Sequence, residues 1–158
     1  MTADETQTYT AFFYGTLTAS QVLARVLTGE LALPENTPIV LHRARLDNHR
    51  RFSIKGEEYP AVRPRSGKQV IGAVAYGLSE LDVAKLDRFE GDEYERVELE
   101  VVDLEDADRT VRANVYLWVD GEERLEPTEW DLEHFQTNKM QSWIADELKA
   151  IENESRAN

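Results

Sequence analysis

Glu90 is the residue whose type and position in this sequence most directly suggest chemistry. In the stretch "LDRFEGDEYERV" (86–97) and the residues before it, Val83, Leu86 and Glu90 fall on one helical face. Val83 and Leu86 are predicted to point inward, so Glu90 is predicted to point inward as well. Burial disfavours the ionised form of a carboxyl group and raises its pKa above the ~4.3 of a free glutamate. Such a glutamate is suited to act as a general acid or base near neutral pH.

Two structural roles for Glu90 stay open beside this chemical one. Its carboxylate could form a buried ion pair with an arginine such as Arg96, which follows six positions later. It could also turn towards solvent if the helix frays at Gly91. The residue pattern alone does not separate these roles from that of a base.

The stretch "AFFYGTL" (11–17) carries a second candidate site, a tight turn between a strand and a helix. Strand-forming residues run to Tyr14, and Gly15 then allows the chain to turn sharply. The backbone N–H groups of such a turn can bind a carboxylate or a developing oxyanion. An ordinary turn explains the glycine equally well. If Gly15 adopts a positive φ, an alanine at this position would strain the turn.

The pattern of apolar residues predicts the elements that must position these two sites. Strands are predicted at 9–14, 39–46, 70–78, 97–101 and 111–119, with the last two joined as a hairpin by the turn 106–109. Helices are predicted from Thr18 to Gly29, from Ser79 to about Gly91, and over 132–151. Ser79 and Asp82 form a capping box at the start of the second helix. The segment 48–68 contains several glycines and prolines and is predicted to be a strand with long turns.

This order of elements predicts one α+β domain with mostly antiparallel strands and helices on the outside. A chain of 158 residues is long enough for one proper core and too short for two. We expect a flexible N-terminus at 1–8, a single domain over 9–151, and a frayed tail at 152–158. A small closed barrel would also remove the sheet edges, although the residue pattern does not require one.

Composition excludes several classes of function. The formal net charge of -13 repels phosphate backbones and anionic lipids, so neither nucleic acid nor a membrane is an expected partner. No apolar stretch approaches the ~20 residues of a membrane helix, and we expect a cytoplasmic protein. The absence of cysteine excludes disulfides and a thiol nucleophile. The three histidines lack metal-ligand spacing and no phosphate-binding loop is present, so an enzyme is expected to need no metal or other cofactor.

Three stretches taken together, "FFYGTL", "EEYPAVRP" and "VIGAVAYGLSELDVAKLDRFEGDEYERV", resemble the γ-glutamylcyclotransferase-like superfamily. The chain is most similar to the plant and fungal avirulence-induced branch, and "ANVYLWVDGEERLEPTEWDLEHF" resembles the end of that branch. The resemblance covers roughly Phe12 to Trp143. It implies a small mixed, mostly antiparallel β-barrel with flanking helices, in agreement with the element order.

The resemblance also implies roles for individual residues. The catalytic glutamate of the family matches Glu90, and its following Tyr-x-Arg matches Tyr94 and Arg96. We expect Tyr94 to contact the substrate, while an orienting or structural role is equally open for both. The family's glycine-containing loop, which holds the glutamyl group through backbone atoms, matches Tyr14, Gly15, Thr16 and Leu17.

The reaction implied is intramolecular aminolysis of a small γ-glutamyl amide, which yields 5-oxoproline and a free amine. Glu90 would transfer the proton, and no cysteine, serine or metal is needed. Two alternatives are a non-catalytic module that binds a small ligand on the same fold, and a protein-interaction domain with an acidic surface. The presence of both Glu90 and the glycine turn favours the enzyme. The sequence predicts neither the leaving amine nor the oligomeric state.

Overall fold

The computed structural model describes residues 8–56, 60–126 and 149. The strands are β1 (Tyr9–Phe13), β2 (Val40–Ile54), β3 (Pro60–Leu78), β4 (Tyr94–Asp103), β5 (Arg109–Trp118) and β6 (Leu125–Glu126). The helices are α1 (Ser20–Thr28) and α2 (Glu80–Glu90), and two single 3₁₀ turns are formed by Thr16–Thr18 and Glu122–Arg124. Apart from residue 149, the helix predicted at 132–151 lies outside the described residues, as does the tail.

The strands form one sheet in the order β3-β1-β5-β4-β2-β6, and an additional pairing between β2 and β3 curls it into a barrel. Strands β1 and β5 run parallel, whereas the other pairs are antiparallel. The pairing of β2 with β4 is short, with Ala44 opposite Asp103 and Arg45 opposite Val102. The barrel is therefore only partly closed. The predicted α+β class with a mostly antiparallel barrel is confirmed.

Two apolar layers surround the central strands. Successive residues of a strand point to opposite faces, so Phe12 packs inside the barrel while its neighbour Phe13 packs beneath the helices. The layer under the helices also contains Leu23 of α1, Leu86 of α2 and Tyr116 of β5. Strands β1 and β5 are consequently buried on both faces. The alternation of apolar residues in the sequence over 111–119 indicates one buried face, and the structure shows that this strand is buried on both.

Helix α2 begins and ends as its sequence predicts. The Ser79 hydroxyl accepts from the Asp82 amide at 3.0 Å, and the Asp82 carboxylate accepts from the Ser79 amide at 2.9 Å. Val83 and Leu86 are buried, and Gly91 follows the last helical residue with a φ of 76°. The capping box thus fixes the first turn of the helix that has Glu90 at its other end.

The prediction of long turns within 48–68 was wrong, because β2 and β3 continue through most of this segment as a long hairpin. Pro64 and Gly67 lie at an irregularity within the pairing. Asn48 adopts a φ of 59°, and its side-chain oxygen accepts a 3.2 Å hydrogen bond from the Gly67 amide. The register shifts at this point, with His49 opposite Pro64. A bulge tolerates residues that would interrupt a regular ladder.

Neither described helix has the length and apolar character that crossing a membrane requires.

Candidate active site

The ends of three strands and one helix meet at one end of the barrel. Strand β5 runs parallel to β1, and at its C-terminal end Trp118 pairs with Tyr94, the first residue of β4. Tyr14 directly follows β1 and lies at the same end of the sheet as this pair. Helix α2 ends at Glu90, four positions before Tyr94. The fold therefore places Tyr14, Glu90, Tyr94 and Trp118 at one end of the barrel, although they come from separate parts of the sequence.

Glu90 is half-buried at the C-terminal end of α2. Burial raises the pKa of its carboxyl group to about 8. Arg96, considered from sequence as an ion-pair partner for it, instead contacts Asp87, with 2.9 Å between Nε and Oδ1. Within the described part of the chain, no side chain forms a hydrogen bond or ion pair with the Glu90 carboxylate. Its proton can therefore be exchanged without breaking a salt bridge to those residues.

Tyr14 is buried at the same end of the barrel as Glu90. Its hydroxyl donates a 2.5 Å hydrogen bond to the backbone carbonyl oxygen of Tyr116. Burial, and next the negative charge of Glu90, raise the pKa of Tyr14 well above its ordinary value. The hydroxyl consequently remains protonated and acts as a donor at physiological pH. The charge of Glu90 therefore acts on the residue that precedes the predicted glycine turn.

Gly15 is required by space rather than by backbone conformation. A Cβ atom at this position would lie 2.8 Å from both Cγ and Cδ of Pro60, closer than side-chain carbons approach. The φ of Gly15 lies outside the left-handed region, so the positive φ considered from sequence is wrong. The close approach holds the turn after β1 against the first residue of β3.

The turn after Gly15 presents backbone groups, as expected for Thr16 and Leu17. The Thr18 amide and hydroxyl both donate to the Gly15 carbonyl oxygen, at 3.1 and 2.6 Å. The first N–H groups of a helical turn have no acceptor within it, and here they belong to Thr16 and Leu17. The Leu17 side chain is buried in the layer under the helices. Leu17 can therefore serve a ligand only through its backbone.

Tyr94 connects the turn to the neighbouring strands. Its hydroxyl donates a 2.7 Å hydrogen bond to the carbonyl oxygen of Pro60, the residue packed against Gly15. Its ring meets the buried Trp118 ring edge to face, with centroids 5.5 Å apart. Tyr94 is thus well placed to hold Pro60, while its predicted contact with substrate stays a prediction.

Sequence reasoning missed the polar network that surrounds the end of α2. The Tyr116 hydroxyl donates to Asp87 Oδ1 at 2.8 Å, the atom that Arg96 also contacts. Arg96 Nη1 donates to Asn114 Oδ1 at 3.0 Å, and Asn114 Nδ2 donates to the Thr10 carbonyl oxygen at 3.0 Å. The available signal was a polar Asn114 next to apolar residues in β5, which indicates a strand buried on both faces.

A second polar cluster lies at the opposite end of the barrel. The fully buried Asp103 accepts hydrogen bonds from His42 Nδ1 at 2.8 Å and from the Tyr76 hydroxyl at 2.5 Å. Its other oxygen accepts from the Glu105 amide at 2.9 Å. These bonds join β2, β3 and the end of β4. Over 8–56 and 60–126, neither end of the barrel offers three acidic or histidine side chains arranged to hold a metal ion.

The comparisons with known proteins agree with this fold. The family described as "Gamma-glutamyl cyclotransferase, AIG2-like" matches residues 11–132, a span that includes both candidate motifs. The chain is 29% identical over 136 residues to AIG2-like protein D of Arabidopsis thaliana, covering 86% of this chain and 84% of that protein. A solution structure from Arabidopsis thaliana has a TM-score of 0.67 and 26% identity, covering 98% of this chain and 88% of that one.

A solved structure named gamma-glutamyl cyclotransferase has a TM-score of 0.57, 16% identity, and coverage of 76% of this chain and 69% of that one. This second likeness concerns the fold alone. Since the family model spans most of the domain, the chain belongs to the gamma-glutamyl cyclotransferase, AIG2-like family.

Proposed function

We propose that this protein is a γ-glutamylcyclotransferase that converts a small γ-glutamyl amide into 5-oxoproline and a free amine. Family membership and a fold shared with a protein named gamma-glutamyl cyclotransferase support this class of reaction. The observation that carries the proposal is the half-buried Glu90, whose pKa burial raises to about 8, at the same end of the barrel as Tyr14 and Gly15. We further propose that no metal or cofactor takes part and that the protein acts in the cytoplasm.

The proposed reaction forms one bond and breaks another within the substrate. The α-amino nitrogen attacks the γ-carbonyl carbon and closes a five-membered ring through a tetrahedral intermediate. The bond between that carbon and the leaving nitrogen then breaks, and the leaving nitrogen takes up a proton. Because nucleophile and electrophile belong to one molecule, the site mainly has to fold the substrate into the reactive conformer.

Glu90 is proposed to carry the proton between the two nitrogens. The α-amino group is a protonated ammonium near neutral pH, so a base must remove a proton before it can attack. The ionised Glu90 takes this proton and later gives it to the leaving nitrogen. A bound substrate ammonium also favours the ionised carboxylate. The pKa of Glu90 should therefore be lower in the substrate complex than in the free enzyme.

The turn after β1 is proposed to bind the reacting carbonyl. The N–H groups of Thr16 and Leu17 are the donors that its 3₁₀ turn does not use. Donors of this kind stabilise the negative charge that develops on the carbonyl oxygen in the tetrahedral state. The close contact between Gly15 and Pro60 fixes the position of the turn before substrate binds.

The activity can be tested with a panel of γ-glutamyl amides, including glutathione, γ-glutamyl amino acids and γ-glutamyl-ε-lysine. Release of 5-oxoproline is measured by mass spectrometry, with the α-glutamyl isomers as controls that lack the γ-amide. We expect turnover of at least one γ-glutamyl compound and of none of the isomers. Binding of these compounds without any release of 5-oxoproline would support a non-catalytic binding module instead.

A further inference from the structure

The carboxylate of Asp87, one helical turn before Glu90, is held from two different strands. The Tyr116 hydroxyl of β5 donates to its Oδ1 at 2.8 Å, and Arg96 Nε of β4 lies 2.9 Å from the same atom. These contacts hold the last turn of α2 against the sheet. Residues three positions apart lie on neighbouring parts of a helix surface, so holding Asp87 also holds Glu90.

The same arginine extends the connection to the strand that leads to the glycine turn. Arg96 Nη1 donates to Asn114 Oδ1 at 3.0 Å, and Asn114 Nδ2 donates to the Thr10 carbonyl oxygen of β1 at 3.0 Å. Asn114 is buried, and it pairs with Ala11 in the parallel ladder between β5 and β1. A continuous chain of hydrogen bonds therefore runs from the end of α2 to β1, the strand that immediately precedes Tyr14.

We propose that Arg96 and Asp87 are positioning residues that fix Glu90 relative to the Tyr14–Leu17 turn. This inference rests on the proposed function only in taking Glu90 as the proton carrier. Neither residue needs to touch substrate, because both act through the last turn of α2.

Part of the last turn of α2 faces solvent, so the contacts of Asp87 matter for its position. Phe89 next to Glu90 is 47% exposed, and Gly91 ends the helix immediately afterwards. Helix ends fray where packing does not hold them. If the turn frayed, the Glu90 carboxylate would gain solvent and its pKa would fall towards the ordinary glutamate value.

An arginine suits this position better than a lysine. Its Nε and Nη1 atoms contact two acceptors at once, Asp87 on α2 and Asn114 on β5. The planar guanidinium fixes the direction of both contacts, whereas a lysine ammonium is a single point on a flexible stem. We therefore expect Arg96→Lys to keep the charge and to lose much of the positioning.

The matched control is Arg112 on the same hairpin. Its Nε lies 3.4 Å from Glu98 Oε2, and both side chains are mostly exposed, at 63% and 61%. Arg112→Gln therefore removes one arginine and one ion pair from the same two strands without touching α2. A general loss of charge or of hairpin stability would affect both arginine variants alike.

The test compares Arg96→Gln, Arg96→Lys, Asp87→Asn and Arg112→Gln in kinetics and in a carboxyl titration by ¹³C NMR. We expect kcat to fall by about 10- to 100-fold in the Arg96 and Asp87 variants with a smaller change in KM. The titration midpoint of Glu90, assigned by its absence in Glu90→Gln, should move from about 8 towards lower pH in these variants only. Arg112→Gln should match the parent in both measurements.

An unchanged Glu90 titration in folded Arg96→Lys and Asp87→Asn would overturn the inference, whatever their activity. Equal losses in Arg112→Gln would also overturn it, since they would indicate a general effect of charge. If the parent turns over no γ-glutamyl compound, the proposed function fails, while the titration still decides whether Arg96 and Asp87 position Glu90.

Discussion

The Tyr14 hydroxyl donates a 2.5 Å hydrogen bond to the backbone carbonyl oxygen of Tyr116, 102 positions later in the chain. The bond is buried and joins the residue before the glycine turn to strand β5. Tyr116 in turn donates its own hydroxyl to Asp87 of α2. Two tyrosines thus connect the turn, the sheet and the helix that carries Glu90.

Tyr14→Phe should lower the free energy of unfolding by about 1–3 kcal/mol, because the change leaves the buried Tyr116 carbonyl without this donor. Urea denaturation measures the difference. Tyr9→Phe in β1, the strand that precedes Tyr14, is the control, since Tyr9 is half-buried and its hydroxyl has no partner among the described residues. That control should stay within about 0.5 kcal/mol of the parent. Equal losses in both variants would show that the Tyr14 bond contributes nothing specific.

Gly15→Ala should reduce kcat/KM strongly, because the new methyl group would collide with the Pro60 ring and displace the turn. A misplacement of about 1 Å can cost on the order of 100-fold. Pro60→Ala removes the ring atoms that Cβ would meet, so the double variant Gly15→Ala/Pro60→Ala should recover part of the loss relative to Gly15→Ala. Steady-state kinetics on the three variants decide this. A double variant no better than Gly15→Ala would contradict the steric explanation.

The His42–Asp103 pair should make stability depend on pH. The hydrogen bond to Asp103 raises the pKa of His42, and the nearby charges of Glu105 and Asp106 act in the same direction. A raised histidine pKa gives stability that is complete below the unfolded value of ~6.5 and is lost as pH rises through the folded value. The Tm difference between parent and His42→Gln should therefore shrink from about pH 6 to about pH 9. In an Asp103→Asn background it should stay nearly constant, and an equal pH dependence there would refute this assignment.

The raised pKa of Glu90 also makes the stability of the parent fall as pH rises, and here the variant should become the more stable protein at high pH. Burial raises the pKa of Glu90 to about 8, so folding penalises the ionised form. The unfolded chain releases this proton at lower pH, and the stability of the parent should fall as pH rises from about 4.5 to about 8. Glu90→Gln should thus melt above the parent at about pH 9 and close to it at about pH 4. Thermal unfolding across this range is the measurement, and a lower Tm at high pH would indicate a structural partner for Glu90.

Much of the fold could be predicted from sequence because local signals decide it. The capping box of Ser79 and Asp82, the glycine after α1, and the alternation in β4 each depend on neighbouring residues. The extent of β2 and β3 could not be predicted in this way. The prolines and glycines of 48–68 indicate turns, but β2 and β3 form a long hairpin with a bulge at Asn48. This pairing depends on residues that are distant in sequence.

In the candidate site, too, the features that depend on neighbouring residues were predicted, and those that depend on distant residues were not. Helical periodicity and the glycine turn predict Glu90 and Tyr14, and the structure brings both to one end of the barrel. The reason for Gly15 was wrong, because Pro60 is distant in sequence and only the fold brings it against the turn. The partners of Arg96 were missed for a similar reason. Arg96 contacts both Asp87 and Asn114, and this is possible only when α2 packs against the sheet.

The central claim is that Glu90 transfers the proton, and the most direct measurement is the rate of 5-oxoproline release by Glu90→Gln beside Glu95→Gln. Glu95 is exposed on β4, so its change removes one carboxylate from the same region without touching the site. We expect Glu90→Gln to bind γ-glutamyl ligands and to lose about 10²–10⁴-fold in kcat. Glu95→Gln should keep both the parent rate and a rising limb of kcat/KM centred at about pH 8. Parent-like release of 5-oxoproline by folded Glu90→Gln would contradict the account.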